Sequence, residues 1–340
     1  MRYPPLNLLL LPFLSLLVTA AVTVAAPDYD YHMANATVVL SAYAYCSNAT
    51  IAAGGFPGAL NDFVTTNVVY NRYYDVHGYI GYSSRLRAVF VVFRGSLSIK
   101  NWLDDFDTLM TAYPLCAGCN VHRGFYFAAQ SVREDVVAWT QALQTRFPSF
   151  DVVVTGHSLG GALATLVAAD LARPAAPRSP SPAPAGLSEE VRQGLDAVYG
   201  RAGAGSDSGG GLRNVRHVSF GSPRVANGAA AHYLSSLLPS NTTPPRAVRT
   251  THLRDIVPHN PFTTLGYSHI MGEWYEDEAG ALRACVGYED PQCADQWTFD
   301  ETVADHLHYL GQQMWCPAPD DVNAQQPPPG ANAGRRRHLR

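Results

Sequence analysis

Ser158 lies in the run Asp151-Val-Val-Val-Thr-Gly-His-Ser-Leu-Gly-Gly-Ala162, where Gly156-His157-Ser158-Leu159-Gly160 fits the pattern G-x-S-x-G. The apolar residues before it predict a buried strand over 151–155, and the Ala/Leu-rich stretch after it predicts a helix over 159–172. The pentapeptide therefore falls on a strand-to-helix turn. A turn tight enough to project a serine from its apex leaves room only for glycine on either side. The amide of Leu159 would open the helix, pointing to where an oxyanion would form. That is an arrangement for nucleophilic acyl transfer.

A serine hydroxyl needs a base, and the base needs a carboxylate to orient it. In strand-turn-helix hydrolases the three follow in the order Ser, Asp, His. The run Ala247-Val-Arg-Thr-Thr-His-Leu-Arg-Asp-Ile256 supplies Asp255 just beyond a strand-like segment. Four downstream histidines are candidates for the base: His259, His269, His306 and His308. His259 is only four residues from Asp255, and His269 sits in an aromatic run that suits a packed core histidine. Chain order does not separate His306 from His308.

The elements that must position these residues alternate. Residues 31–45 read as a helix; Asn67–Tyr74, Tyr79–Tyr82 and Leu86–Phe93 read as strands. Val121 to Phe147 predicts one long amphipathic helix with its entry turn, and Val215–Val225 resumes with a strand. Strands alternating with helices predict an α/β architecture with a mostly parallel sheet. After Arg94-Gly95-Ser96, a short helix is expected whose apolar residues Ile99, Trp102, Leu103 and Phe106 recur at i, i+3, i+4, i+7. The stretch 173–213, rich in Pro, Ser, Ala and Gly, cannot bury a core and predicts a flexible insertion within one domain, with a short helix near 188–199. Residues 317–340, with three consecutive prolines and a basic cluster, predict a disordered tail.

Composition narrows the setting. The chain has 340 residues, 47% hydrophobic and 15% charged, and a net charge of −4, which lacks the basic footprint of a nucleic-acid binder. Leu6 to Ala26, behind Arg2, is an apolar run ending in small residues and reads as a secretory signal over 1–26, cleaved between Ala21 and Ala26. In an oxidising compartment the six cysteines, Cys46, Cys116, Cys119, Cys285, Cys293 and Cys316, suggest three disulfides among fifteen possible connectivities. No second CxxC accompanies Cys116-Ala-Gly-Cys119 to complete a zinc site, so a local bridge is expected there and no metal. Sequons at Asn35, Asn48 and Asn241 fit a secreted glycoprotein.

Seven motifs then appear together: "FRGSLSIKNWL", "HRGFYFAAQSV", "VTGHSLGGALATL", "SFGSPRVANGAAAHYL", "THLRDIVPHNP", "GYSHIMGEWY" and "DHLHYLG". In this order, over about 42–316, they resemble the filamentous-fungal triacylglycerol lipases, the class 3 lipases of the α/β-hydrolase fold. The resemblance implies an α/β-hydrolase domain over 27–316. It implies Ser158 as nucleophile, Asp255 as acid, His306 as base, and an oxyanion hole from the amides of Ser96 and Leu159. It makes Ile99, Trp102, Leu103 and Phe106 the apolar face of a lid that turns outward at oil. It implies the pairs Cys46–Cys316 and Cys116–Cys119. Cys285 and Cys293 resemble a pair in the related feruloyl esterases, whose cover is polar where this one is apolar. The insertion at 173–213 is longer than the family usually carries there.

The expected protein is thus a monomeric, cofactor-independent secreted hydrolase of acylglycerols at a lipid–water interface, with no integral membrane segment. A soluble-ester (feruloyl-type) esterase and a phospholipase A1 are the alternatives within hydrolases. A non-catalytic lipid-binding protein is the alternative outside them.

Overall fold

The structure is a computed structural model that describes residues 29–104, 107–173, 212–297, 301–318 and 321. Its elements, in chain order, begin with α1 (Tyr31–Tyr43), α2 (Asn48–Ala53), β1 (Val64–Asn71), β2 (Val76–Ser83), β3 (Ala88–Phe93) and α3 (Ile99–Asp104). There follow β4 (Met110–Ala112), β5 (Asn120–His122), α4 (Arg123–Gln130), α5 (Arg133–Arg146), β6 (Asp151–His157) and α6 (Leu159–Ala172). The remainder is β7 (Val215–Phe220), β8 (Ala226–Asn227), α7 (Gly228–Leu237), β9 (Ala247–His252), β10 (Tyr267–Ser268), β11 (Glu273–Glu276), β12 (Leu282–Ala284), α8 (Val303–His306), β13 (His308–Tyr309) and β14 (Gln312–Gln313).

Eight strands form one sheet in the order β1-β2-β3-β6-β7-β9-β11-β12. From β3 to β11 every neighbour is parallel, and antiparallel strands close both ends. This is the expected mostly parallel α/β sheet.

Continuous apolar runs such as Ala88–Phe93 are explained by coverage of both faces. Side chains alternate along a strand: Val89, Val91 and Phe93 join Val152 and Val154 beneath α4, α5, α6 and α7. Phe90, Val92, Val153, Val218 and Phe220 pack on the opposite face with Val38, Leu40 and Ala42 of α1. Each fully buried Phe or Val contributes about 1.5–3 kcal/mol over an exposed one. Helix α6 is apolar nearly all round because it is buried on nearly every side.

Three sequence-based boundaries change. The first strand spans Val64–Asn71 rather than 67–74, because the Asn71 side chain accepts hydrogen bonds from the amides of Tyr73 and Tyr74 (3.0 and 3.1 Å) and turns the chain into β2. The single helix expected within 121–147 is two helices preceded by a strand. Ser131 donates its hydroxyl to the Ala128 carbonyl (2.7 Å), and Val132 at φ −122°, ψ 2° leaves helical geometry. The chain beyond Cys316 is anchored farther than expected, since Asp321 accepts from the Ser47 amide at 2.8 Å.

The expected signal segment 1–26, the body of the insertion (174–211, with the helix expected over 188–199) and the tail from 322 lie outside the described residues. At the edge of the insertion, the Gln144 amide holds both backbone groups of Arg213 at 2.9 Å. Among the described residues no helix is long and apolar enough to cross a membrane.

Candidate active site

The carboxyl ends of the parallel strands converge. Phe93 pairs with Gly156, and His157 with Phe220, so the loops after β3, β6 and β7 leave the sheet side by side. Ligands of open α/β sheets sit along this edge.

Ser158 is the apex of the turn between β6 and α6, at φ 58°, ψ −130°. A left-handed serine is strained unless its surroundings dictate it. Here the Ser158 amide donates to the Phe220 carbonyl at 2.9 Å, and its own carbonyl accepts from Gly161 at 2.8 Å. A Cβ on Gly156 would lie 2.4 Å from the Gly160 backbone, and one on Gly160 would lie 2.2 Å from the Phe93 carbonyl oxygen. The two glycines of the motif are therefore steric requirements of the turn. The turn after β3 lies against it: a Cβ on Gly95 would sit 2.9 Å from Ser158 Cβ. That turn is held by the Arg94 guanidinium, itself buried, on Asp75 at 2.9 Å. It also runs beside the first turn of α6, where a Cβ on Gly160 would lie 2.9 Å from the Arg94 carbonyl carbon.

Asp255 follows β9 and is buried. Its Oδ1 accepts from the Val257 amide (2.8 Å), and its Oδ2 accepts from His306 Nδ1 (2.8 Å) and from the Tyr309 hydroxyl. The partner segment is kept in register by backbone bonds: Thr302 N–H donates to Arg254 O (2.7 Å) and Ile256 N–H to Thr302 O (3.3 Å). Thr302 also caps α8, accepting from the Asp305 amide at 3.0 Å, and α8 ends in His306. A Cβ on Gly221 would lie 2.8 Å from Asp255 Oδ2 and 2.9 Å from His306 Nδ1, so only glycine fits beneath the pair.

With Nδ1–H donated to a carboxylate, Nε2 is the acceptor nitrogen of a neutral His306 ring. That atom and Ser158 Oγ are both buried and make no hydrogen bond among the described residues. The arrangement can hold a hydroxyl proton at Nε2 and an imidazolium against Asp255.

The four histidine candidates separate by burial and partner. His308 is exposed on β13. His269 is buried and donates Nε2–H to the Pro258 carbonyl at 2.8 Å. His259 is buried with Nδ1 3.9 Å from Asp295. Only His306, among these four, meets Asp255 in a hydrogen bond.

His157, inside the motif, donates Nε2–H to the His306 carbonyl (2.8 Å) and accepts at Nδ1 from the Tyr45 hydroxyl (2.7 Å). Burial first, and His306 beside it second, hold its basicity well below the usual histidine range. It thus ties the segment just after α1, the serine turn and the histidine loop together as a neutral ring. Tyr45, Gly221 and Tyr309 were not singled out in the sequence; Tyr309 lies inside the quoted "DHLHYLG", where chain order alone gave it no role.

Of the lid residues, Ile99 is buried and Leu103 half-buried in α3, whose described part is Ile99–Asp104. Trp102 lies in that helix, and Phe106 lies outside the described residues. The cysteines are joined as Cys46–Cys316, Cys116–Cys119 and Cys285–Cys293. Bridged sulfurs are not thiolate ligands, so the CxxC pair does not offer half a zinc site.

A serine on a strand-turn-helix apex, with a His–Asp pair contributed by later loops along the same sheet edge, defines an α/β hydrolase. The sequence pattern described as lipase (class 3) matches residues 90–187 and 202–265. The chain belongs to the class 3 lipase family. It is 30% identical over 241 residues to a lipase of Rhizomucor miehei, covering 70% of this chain and 56% of the relative. It is 30% identical over 201 residues to the secreted mono- and diacylglycerol lipase A of Penicillium camembertii, covering 59% and 52%. The chain thus spans about half the length of the curated relatives it matches.

Among solved structures, the Rhizomucor miehei lipase propeptide complex superposes with a TM-score of 0.64 at 28% identity, covering 84% of this chain and 82% of the other. A triacylglycerol lipase whose catalytic centre is described as a serine-protease triad superposes at 0.65 with 28% identity, covering 83% and 95%.

Proposed function

We propose that the protein is a secreted serine carboxylester hydrolase that cleaves acylglycerols at a lipid–water interface. Ser158 Oγ attacks the ester carbonyl as His306 Nε2 takes its proton, and the amides of Ser96 and Leu159 receive the oxyanion. Asp255 keeps Nδ1 protonated and stabilises the imidazolium. The imidazolium passes its proton to the leaving alkoxide, giving an acyl-serine and a free alcohol. Water, deprotonated by the same histidine, then attacks the acyl-serine carbonyl, and the imidazolium returns the proton to Ser158 Oγ as the fatty acid leaves. No cofactor enters this cycle. The observation that carries the reading is the buried His306–Asp255 pair beside a serine held at positive φ.

Acylglycerol as the substrate class is supported by the apolar Ile99 and Leu103 of α3, the helix that follows the turn after β3, and by the relatives' names. An esterase for soluble esters remains the second reading, favoured by the loop that Cys285–Cys293 closes. One experiment separates them: initial rates on emulsified triolein and on methyl ferulate, taken across each solubility limit, with Ser158→Ala as the blank. A rise where triolein forms droplets supports the lipase. Fast cleavage of methyl ferulate with no such rise sinks it.

A further inference from the structure

The Cys285–Cys293 loop lies beyond the machinery described so far, yet its side chains reach the turn that carries Asp255. The link is Arg224, on the loop after β7, with a side chain only 4% exposed. A guanidinium has five N–H donors in one rigid plane, and in Arg224 each has an acceptor. Nε and one Nη2 hydrogen form a fork on Glu289 (3.0 and 2.9 Å), and the second Nη2 hydrogen goes to Asp295 at 2.9 Å. Nη1 donates to the carbonyls of His259 and Pro261. The Arg224 amide adds a bond to the Asn260 carbonyl at 2.8 Å.

Three consecutive carbonyls of the segment that begins at Asp255 therefore hang on one residue. A fourth, that of Pro258, accepts from His269, whose own amide donates to Glu289 at 2.8 Å. The loop in turn is internally braced: Asp290 accepts from the amides of Val286 and Gln292, and Cys293 sits fully buried against β11.

We propose that Glu289 and Asp295 are positioning residues for the hydrolysis, acting through Arg224 on the Asp255 turn, and that the Cys285–Cys293 bridge keeps Glu289 in place. This rests on the hydrolase reading above. The physical case is rigidity. A carboxylate that orients a catalytic histidine must stay within tenths of an ångström of it. The Thr302 ladder sets the backbone at Arg254 and Ile256. The turn that follows is closed by its own bonds from His259 to Ile256 and from Asn260 to Val257, and these carbonyl contacts tie it to the loop after β7 and to Glu289. Bidentate charge-assisted bonds are the strongest and most directional available for that purpose. If Glu289 loses its charge, the guanidinium can pivot, and the Val257 amide that holds Asp255 Oδ1 moves with the turn.

Two variants of the full chain test this: Glu289→Gln, which is nearly isosteric, and Cys285→Ser with Cys293→Ser, which leaves Arg224 and both carboxylates intact. The readouts are kcat and KM on a soluble short-chain p-nitrophenyl ester, and hydrogen exchange of amides 255–261 by mass spectrometry. The expected result is a kcat lower by roughly 10- to 100-fold at unchanged KM, the size typical of sub-ångström to ångström misplacement. Exchange should be faster at 255–261 and unaltered in β3 and β6.

Wild-type kcat with wild-type exchange in both variants would overturn the proposal. So would a raised KM at constant kcat, which would make the loop a wall of the substrate groove. Exchange accelerated throughout the sheet would also overturn it, by making the cluster a global brace. If the wild-type protein cleaves no ester, the hydrolase reading fails, and the exchange arm still decides whether Glu289 holds the turn.

Discussion

At the scale of single residues, the site separates groups that react from groups that hold them. Ser158 and His306 act as a unit on the proposed mechanism, so Ser158→Ala and His306→Ala should each lower kcat by about 10^6. His308→Ala, at an exposed position, should leave most activity. Active-site titration with a fluorophosphonate alongside steady-state rates checks all three. Tyr309 belongs to the holding groups. Its hydroxyl shares Asp255 Oδ2 with His306, and burial, reinforced by that carboxylate, raises its pKa well above the usual tyrosine range, so it stays a donor. Tyr309→Phe removes a buried hydrogen bond to a charge, worth about 1.5–3 kcal/mol. The expected outcome in urea unfolding is a loss of that order, with a lowered kcat on a soluble ester and little change in KM.

At the scale of elements, α3 and the disulfides carry the expectations. Ile99 is 4% exposed in this arrangement. On the lid reading it would meet oil when the helix turns out, because only an interface gives the open state contacts that the closed state lacks. Ile99→Ser should therefore blunt the rise in rate at the solubility limit of tributyrin while sparing a soluble p-nitrophenyl ester. Equal loss of both activities would assign Ile99 to the core instead. The bridge Cys46–Cys316 joins residues 270 apart. Chain-entropy reasoning gives a closure of that length about 5 kcal/mol. A Cys46→Ser, Cys316→Ser variant should unfold at markedly lower urea than a variant lacking only Cys116–Cys119, whose loop spans three residues.

At the scale of the whole molecule, buried neutral histidines set the response to acid. Burial pushes His217 down to about 3 and His122 down to about 4, while His269 and His157 are held well below the ordinary range for the same principal reason. An unfolded histidine binds a proton near pH 6.5. Between about 6.5 and 4 the unfolded chain therefore binds more protons at these sites than the folded one, so stability rises with pH across that window. As pH falls through it, each such group should cost about 1.4 kcal/mol per unit, until the folded site also titrates. Urea midpoints at pH 7 and pH 5 should differ in that direction. A His217→Asn variant that still folds should show a shallower dependence.

Local pattern determined a good part of this. The period of Ala88–Phe93 and Asp151–Thr155, the glycines around Ser158, and the Ala/Leu run of α6 were legible because each depends on neighbours a few residues away in sequence. Glycine was required at 156 and 160 by a clash within one turn, and that constraint is written into the pentapeptide itself. The order Ser, Asp, His was readable, but the choice among four histidines was made by family resemblance. In space it is made by Thr302, which sets α8 against the Asp255 turn so that His306 is buried and His308 exposed. The break at Ser131–Val132 overrode an unbroken helical period, because one hydroxyl competed for a helical carbonyl. Tyr309, Tyr45, Gly221 and the Arg224 clamp had no local signal. Their partners lie 54, 112 and 65 residues away for Tyr309, Tyr45 and Arg224 respectively. A hydrogen-bond acceptor or a missing Cβ leaves no periodicity in the chain, so contacts of that range exist only once the sheet has brought its carboxyl edge together.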